Sequence, residues 1–265
     1  MSIKLSIVIP SYNRVNRICD TLRSIPLMEN VEVIIVNDAS TMSYEDVLVQ
    51  YDYLSIRLIN NEKNSGPGIS RNIGVKHATG DYVCFIDDDD EFTEDYFNEI
   101  FRILKLNQYD LIWTGVKVRN IYNEVETEIK FDENKINCQS YKKLKLLTIG
   151  IGFGVVIRKS LFLKVNGFNE NIRFIEDTDF FIKAIKNDFR LGFVSDSLII
   201  VNKHEGERMT NNKNNDKRTK ELIQVINYNY EFIQSDKEIM DLLESHLNFL
   251  IDNEPVEGLL VYPGY

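Results

Sequence analysis

Along the first 115 residues, short apolar runs alternate with stretches of helical spacing. "KLSIVIP" (4–10), "VEVIIVN" (31–37), "IRLIN" (56–60), "YVCFI" (82–86) and "LIWTG" (111–115) are rich in β-branched or aromatic residues, and most are closed by Asn, Asp, Gly or Pro. Such runs, lacking strict alternation, predict strands buried on both faces. Residues 15–25, 43–50, 67–78 and 93–107 carry the helical spacing between them. Strand alternating with helix predicts an α/β fold built on a doubly wound, mainly parallel sheet. Ligands of such sheets bind outside the carboxyl ends of the strands. Three polar clusters fall at that edge: Ser11 to Arg14, Asp38 to Ser40 and Asp87 to Asp90.

Beyond residue 115 the rhythm loosens. An extended excursion is expected at 116–131, a helix near 141–147, a strand at 152–158, a short helix at 159–165 and a further helix from about Asp177. "NNKNNDKRTK" (211–220) is polar and without periodicity, so it reads as a linker. Two amphipathic helices near 219–234 and 237–252 follow. The expected organisation is a main domain over 1–210, divided near residue 115, and a helical C-terminal appendage over 211–265.

Composition narrows the function. The chain has 265 residues, 43% hydrophobic and 27% charged, the profile of an ordinary globular protein long enough for a substantial core. A formal charge of −10 argues against nucleic-acid binding, which needs a basic face. Cys19, Cys84 and Cys138 have neither disulfide-framework nor zinc-site spacing, which fits a reducing compartment. No segment approaches the roughly 18 apolar residues of a membrane span, and the opening apolar run is too brief for a signal-peptide core. The expectation is a cytoplasmic protein, with at most peripheral contact at the inner membrane face.

"DYVCFIDDDDEF" (81–92) runs a buried strand into five carboxylates. If the segment stays extended, Asp87 and Asp89 share one side and Asp88 and Asp90 the other. A charge run is ordinarily a solvated turn. At a ligand-binding edge, however, crowded carboxylates raise one another's pKa unless a cation intervenes. Mg²⁺ or Mn²⁺ commonly takes one or two carboxylates together with substrate phosphates. In "NSGPGISR" (64–71), Pro67 between two glycines marks a helix start whose free N–H groups suit an anion, and Arg71 adds a forked cation. Asp38 could accept hydrogen bonds from a nucleobase or a ribose, or could simply close a turn. Glu176, Asp177 and Asp179 form a second acidic group, which on its own reads as the favoured charge at a helix start.

Five stretches, "SIVIPSYNR", "VEVIIVNDAS", "NSGPGISRNIGVKHATGDYVCFIDDDD", "VNGFNENIRFIEDTDF" and "KHEGERMT", together resemble the large family 2 of nucleotide-sugar glycosyltransferases. The likeness covers about the first 210 residues and implies a fold of the glycosyltransferase A type, with 1–115 as the donor half and 116–210 as the acceptor half. It implies Pro10, Tyr12 and Asp38 around the base and ribose of the donor, and Arg71 near the base and diphosphate. It makes Asp87 and Asp89 the D-x-D pair, with Asp89 the direct metal ligand and Asp88 beside the donor. His204 matches a position that in some relatives meets metal or diphosphate, and Arg208 and Thr210 share its loop. Asp177 matches the catalytic base. The sequence departs from the family at Asp88, often a small residue there, and at Asn37, often Asp. The glycines at 150, 152 and 154 fall near the acceptor.

The implied activity is inverting, Mn²⁺- or Mg²⁺-dependent transfer from a UDP-sugar to a hydroxyl of a glycan or lipid-linked saccharide, as in bacterial surface polysaccharide synthesis. Two other classes remain open from the residues. A sugar-phosphate nucleotidyltransferase would carry a Gly-rich basic loop after the first strand, where this chain has "SYNRVNR". A non-catalytic nucleotide-sugar binding module would have no need of Asp177.

Overall fold

The computed structural model describes residues 3–120, 124–135, 137–203 and 212–252. The predicted α/β alternation holds through the first half: β1 (Leu5–Ser11), α1 (Ile18–Arg23), β2 (Val31–Asn37), α2 (Glu45–Leu48), β3 (Ile56–Asn60), α3 (Pro67–His77) and β4 (Tyr82–Ile86). A two-residue strand β5 (Glu91–Phe92), α4 (Tyr96–Lys105) and a long β6 (Leu111–Arg119) follow. The excursion expected at 116–131 is the far end of β6 paired antiparallel with β7 (Val125–Ile129). Next come α5 (Gln139–Leu146), β8 (Phe153–Arg158), α6 (Lys159–Lys164), α7 (Glu176–Lys186), β9 (Leu191–Asn202), α8 (Asn215–Tyr228), α9 (Tyr230–Ser235) and α10 (Lys237–Asp252).

The strands form one sheet in the order β3-β2-β1-β4-β8-β6-β9-β5, with β7 on β6. Pairing is parallel among β3, β2, β1 and β4 and again between β6 and β9, while β8, β7 and β5 run against their neighbours. The sheet is therefore mixed and mostly parallel, as in glycosyltransferase A-type folds. In-register pairing of Ser11 with Asn37, and of Val8 with Phe85, brings the loops after β1, β2 and β4 to one edge.

Side-chain alternation along the strands feeds two cores. Val8, Ile34, Val83 and Phe85 face α3, α6 and α7, whereas Ile7, Ile9, Val33 and Cys84 face α1 and α4. Beneath the functional edge, Phe85, Phe162, Phe168 and Phe180 meet at ring-centroid distances of 5.1 to 5.6 Å. Truncating one such ring costs about 3–5 kcal/mol, enough to threaten the whole fold.

Two expectations for the C-terminal part need correction. Residues 215–220, read as linker, are the first turns of α8, with Asn215 buried. Apolar positions buried by α8 begin only at Leu222 and Val225, so the opening turns show no hydrophobic period. The single helix expected over 219–234 is broken at Asn229, whose side-chain amide donates to the Val225 carbonyl at 3.0 Å and competes with the helix ladder. Leu222, Val225, Ile233, Ile239, Leu243 and Leu250 join the same apolar cluster as Val8 and Phe85, so α8 to α10 share the core of the sheet. Among the described residues no helix is long and apolar enough to cross a membrane.

Candidate active site

A cleft of about 1200 Å³ lies at the edge where β1, β2 and β4 end. Pro10, Tyr12 and Asp38, the aspartates 87 to 90, and Arg71, Glu176 and Asp177 all line it. The structure thus brings together every predicted site residue except His204. His204, like Arg208 and Thr210, lies outside the described residues.

The aspartate run is not extended. It turns at Asp88 and Asp89, and the Asp90 N–H donates to the Asp87 carbonyl at 3.3 Å. The expected pairing of Asp87 with Asp89 on one side is therefore replaced by a different division. Asp88 and Asp89 both meet Arg14, at 3.0 and 2.6 Å, while Asp87 meets Arg71 at 2.7 Å. Asp90 accepts from the Asn202 N–H at 3.1 Å, which ties the turn to the end of β9. Asp88 is buried and also accepts from the Ser11 hydroxyl. Burial outweighs Arg14 and, together with the neighbouring charge of Asp89, pushes the Asp88 carboxyl up to about 7. For Arg14, burial opposes the charge but Asp88 and Asp89 overcome it and hold the guanidinium firmly protonated.

Gly152 is the neighbour that makes room for Asp87. Its carbonyl accepts from the Asp87 N–H at 3.1 Å, and a Cβ at this position would collide with the Asp87 carboxylate. Asp87 and Asp89 keep 38% and 13% of their side chains exposed toward the cleft. Such hard carboxylate oxygens fit Mg²⁺ or Mn²⁺, which would complete its shell from a diphosphate and water. Among the described residues no three His, Cys, Asp or Glu side chains converge on a preformed cation cage.

Asp38 is buried and fully engaged. One oxygen accepts from Asn61 Nδ2 and the Ser65 N–H, both at 2.9 Å, and the other from the Gly66 N–H at 2.8 Å. The side chain caps the entry to α3, where Gly66 adopts φ 90° before Pro67. The turn-closing role of Asp38 is thus built into the fold, beside any contact it makes with a nucleotide.

Arg71, on the first turns of α3, is almost wholly buried above the Phe168 ring, 5.8 Å from its centroid. Its two terminal nitrogens reach Asp87 at 2.7 Å and Glu176 at 3.0 Å. Burial and the adjacent Asp177 push the Glu176 carboxyl up to about 8, against the pull of Arg71. Asp177 is half-buried at the start of α7, and burial raises its pKa too, although the Thr178 N–H donates to it at 2.8 Å. A carboxylate with a raised pKa that opens onto a cleft is a competent proton acceptor. Asp179 is buried against Lys183 at 2.7 Å and serves α7 itself.

Sequence reasoning missed Arg14 as a partner of the acidic run. The signal was available, because the adjacent parallel strands β1 and β4 had to bring "SYNR" and "DDDD" side by side. It also missed Glu221 of α8, whose role depends on a helix packing that no local pattern announces.

Residues 6–165, more than half of the chain, match Glycosyl transferase family 2. The chain belongs to this family. Over 69% of its length it is 32% identical to an uncharacterised glycosyltransferase of Haemophilus influenzae, of which it spans 62%. It is 31% identical over 71% of its length to the uncharacterised glycosyltransferase YwdF of Bacillus subtilis, spanning 70% of that protein. It is 25% identical over 93% of its length to the Staphylococcus aureus poly(ribitol-phosphate) β-N-acetylglucosaminyltransferase TarS, spanning 44%. Among solved structures, TarS residues 1–349 in complex with UDP-GlcNAc superpose with a TM-score of 0.71 at 23% identity, covering 93% of this chain and 73% of that one. The Pyrobaculum calidifontis mannosyltransferase PcManGT, in complex with GDP-Man and Mn²⁺, gives 0.66 at 16% identity, covering 94% and 70%. At these identities the likeness is one of fold.

Proposed function

We propose that this family 2 protein is an inverting, divalent-cation-dependent glycosyltransferase that moves a sugar from a UDP-sugar to a hydroxyl of a glycan or lipid-linked acceptor. The observation that carries the reading is the bridge made by Arg71, which ties the aspartate turn to the start of α7 within one cleft. UDP-GlcNAc is the first donor to test, because a relative of this chain is a β-N-acetylglucosaminyltransferase and binds that nucleotide sugar. The Mn²⁺ held by PcManGT supports the choice of cation.

In this reading Pro10, Tyr12 and Asp38 bound the nucleoside, and Arg71 with the α3 start faces the diphosphate. Asp89 and Asp87 are the residues that would hold a Mn²⁺ or Mg²⁺ ion, which would supply positive charge to the leaving group. Asp177 orients the acceptor hydroxyl and takes its proton as the oxygen attacks the anomeric carbon. The bond from that carbon to the diphosphate oxygen breaks on the opposite face, so a single displacement inverts the configuration. A cytoplasmic location with at most peripheral membrane contact accords with this donor class.

The test is a thermal-shift screen of nucleotides and nucleotide sugars with and without Mn²⁺, followed by NMR of the product's anomeric proton. Cation-dependent stabilisation by a UDP-sugar and an inverted product are expected. A retained configuration would overturn the mechanism. Tight donor binding with no transfer or donor hydrolysis by the wild type would favour the binding-module reading instead.

A further inference from the structure

Helix α7 begins at Glu176 without a side-chain cap from its own N-cap residue, Ile175. Helix starts leave free N–H groups that need acceptors. Here α8, 46 to 48 residues further along the chain, supplies an acceptor for the N-cap N–H of Ile175 and for the two N–H groups just before it. Glu221 Oε1 accepts from the Arg173 N–H at 3.0 Å, and Oε2 from the Phe174 and Ile175 N–H groups at 2.6 and 3.2 Å. One turn earlier on α8, Lys217 lies over the Phe174 ring, 5.5 Å from its centroid. Residues four apart share a helix face, so a single face of α8 grips the segment that leads into Asp177.

We infer that Glu221 is a positioning residue for the transferase reaction: it fixes the entry of α7 and thereby the direction in which Asp177 meets the acceptor hydroxyl. The inference rests on the reading of Asp177 as the base. Asp38 offers a counterpart within the same cleft, since it accepts the Ser65 and Gly66 N–H groups at the entry to α3. The two helix starts are joined by Arg71 and Glu176, and a Cβ on Gly68 would already press on the Glu176 side chain at 3.2 Å. A carboxylate accepting three backbone donors is a charge-assisted anchor. Without it the loop 173–175 is free to shift, while the aspartate turn and the Asp38 cap stay in place. Donor binding and turnover should therefore separate.

The experiment measures donor affinity by calorimetry and UDP release by transfer to water, using the UDP-sugar that most stabilises the wild type in Mn²⁺. It compares wild type, Glu221→Ala, Glu221→Gln and Asp177→Asn. Hydrogen exchange of the 173–178 amides is followed in parallel. Glu221→Ala should lower turnover by about 10²-fold, the effect of an ångström-scale misplacement, with donor affinity within about threefold and faster exchange confined to the entry of α7. Glu221→Gln should lie between it and wild type, because its carbonyl can still serve the Phe174 and Ile175 donors while its amide opposes that of Arg173. Unchanged turnover in both Glu221 variants, with Asp177→Asn impaired, overturns the inference and leaves the base in place. Equal loss of affinity and turnover also overturns it, since it would mark Glu221 as a general structural support. Should Glu221→Ala fail to fold, Glu221→Gln alone decides between these results. Asp177→Asn at full turnover sinks the base assignment itself.

Discussion

Arg14 Nη1 lies 2.6 Å from Asp89 Oδ2, so the residue expected to bind a cation already faces one supplied by the loop after β1. Asp88 shares the same nitrogen at 3.0 Å. Removing a cation from two crowded carboxylates leaves like charges facing each other. Arg14→Met should lower the melting temperature in chelator by about 2–6 °C, corresponding to one or two kcal/mol for a chain of this size. Mn²⁺ should restore more stability to the variant than it adds to the wild type. Equal Mn²⁺ shifts in the two proteins, measured by differential scanning fluorimetry, would count against a common site.

The same geometry bears on nucleotide binding. UDP should bind weakly in chelator and more tightly with Mn²⁺ or Mg²⁺, and Asp89→Ala should erase that difference. Asp38→Ala should weaken UDP in both conditions, since it leaves the Ser65 and Gly66 N–H groups without their carboxylate. Calorimetric titrations of the three proteins, each in chelator and with cation, provide the check. A cation benefit that survives in Asp89→Ala would move the ligand role elsewhere in the aspartate turn.

Asp177→Asn keeps the size of the side chain and an acceptor for the Thr178 N–H, but cannot take a proton. Transfer should fall by about 10²- to 10⁴-fold with donor affinity and melting temperature nearly unchanged. Steady-state transfer to an identified acceptor is the measurement, and near-normal turnover would redirect attention to Glu176.

Stability should also depend on pH through Glu176. Its carboxyl is raised from 4.5 to about 8, so above the lower value the folded protein holds a proton that the unfolded chain has released. The stabilising contribution is full below pH 4.5 and is lost as the pH rises through about 8. Glu176→Gln, which mimics the protonated form and can still accept from Arg71, should flatten the fall in melting temperature between pH 5 and 8. An unchanged slope in the variant would show that Glu176 does not titrate in this window.

The sequence showed the strands of the first half because β1, β2 and β4 are buried on both faces and need uninterrupted apolar residues. It did not show their directions: "GFGVVIR" looks the same whether β8 runs with or against β4. β9 is harder to read because Ser195, Asp196 and Ser197 interrupt its apolar run where its register with β6 shifts. The residues that line the cleft were legible as types and positions, since polar clusters at the carboxyl ends of parallel strands fall at one edge. Their partners were not. Whether Asp87 faces Asp89 or Arg71 is decided by a turn at residues 88–89 and by where α3 lies, and both depend on tertiary packing.

Arg71 also constrains how this scaffold can be rebuilt. Exchanging the second half of the chain between relatives would treat it as a separable cartridge. Here the exchanged piece would have to bring a hydrogen-bond acceptor at the position of Glu176, or the junction would bury a guanidinium with one of its two partners missing, at a cost of about 1–3 kcal/mol. Helices α8 to α10 would have to travel with it, because Glu221 holds the entry to α7 from outside that half. The natural unit of recombination in this protein therefore runs from Arg71 to the C-terminal helices, and a chimera cut near residue 210 should express poorly however well its sheet is matched.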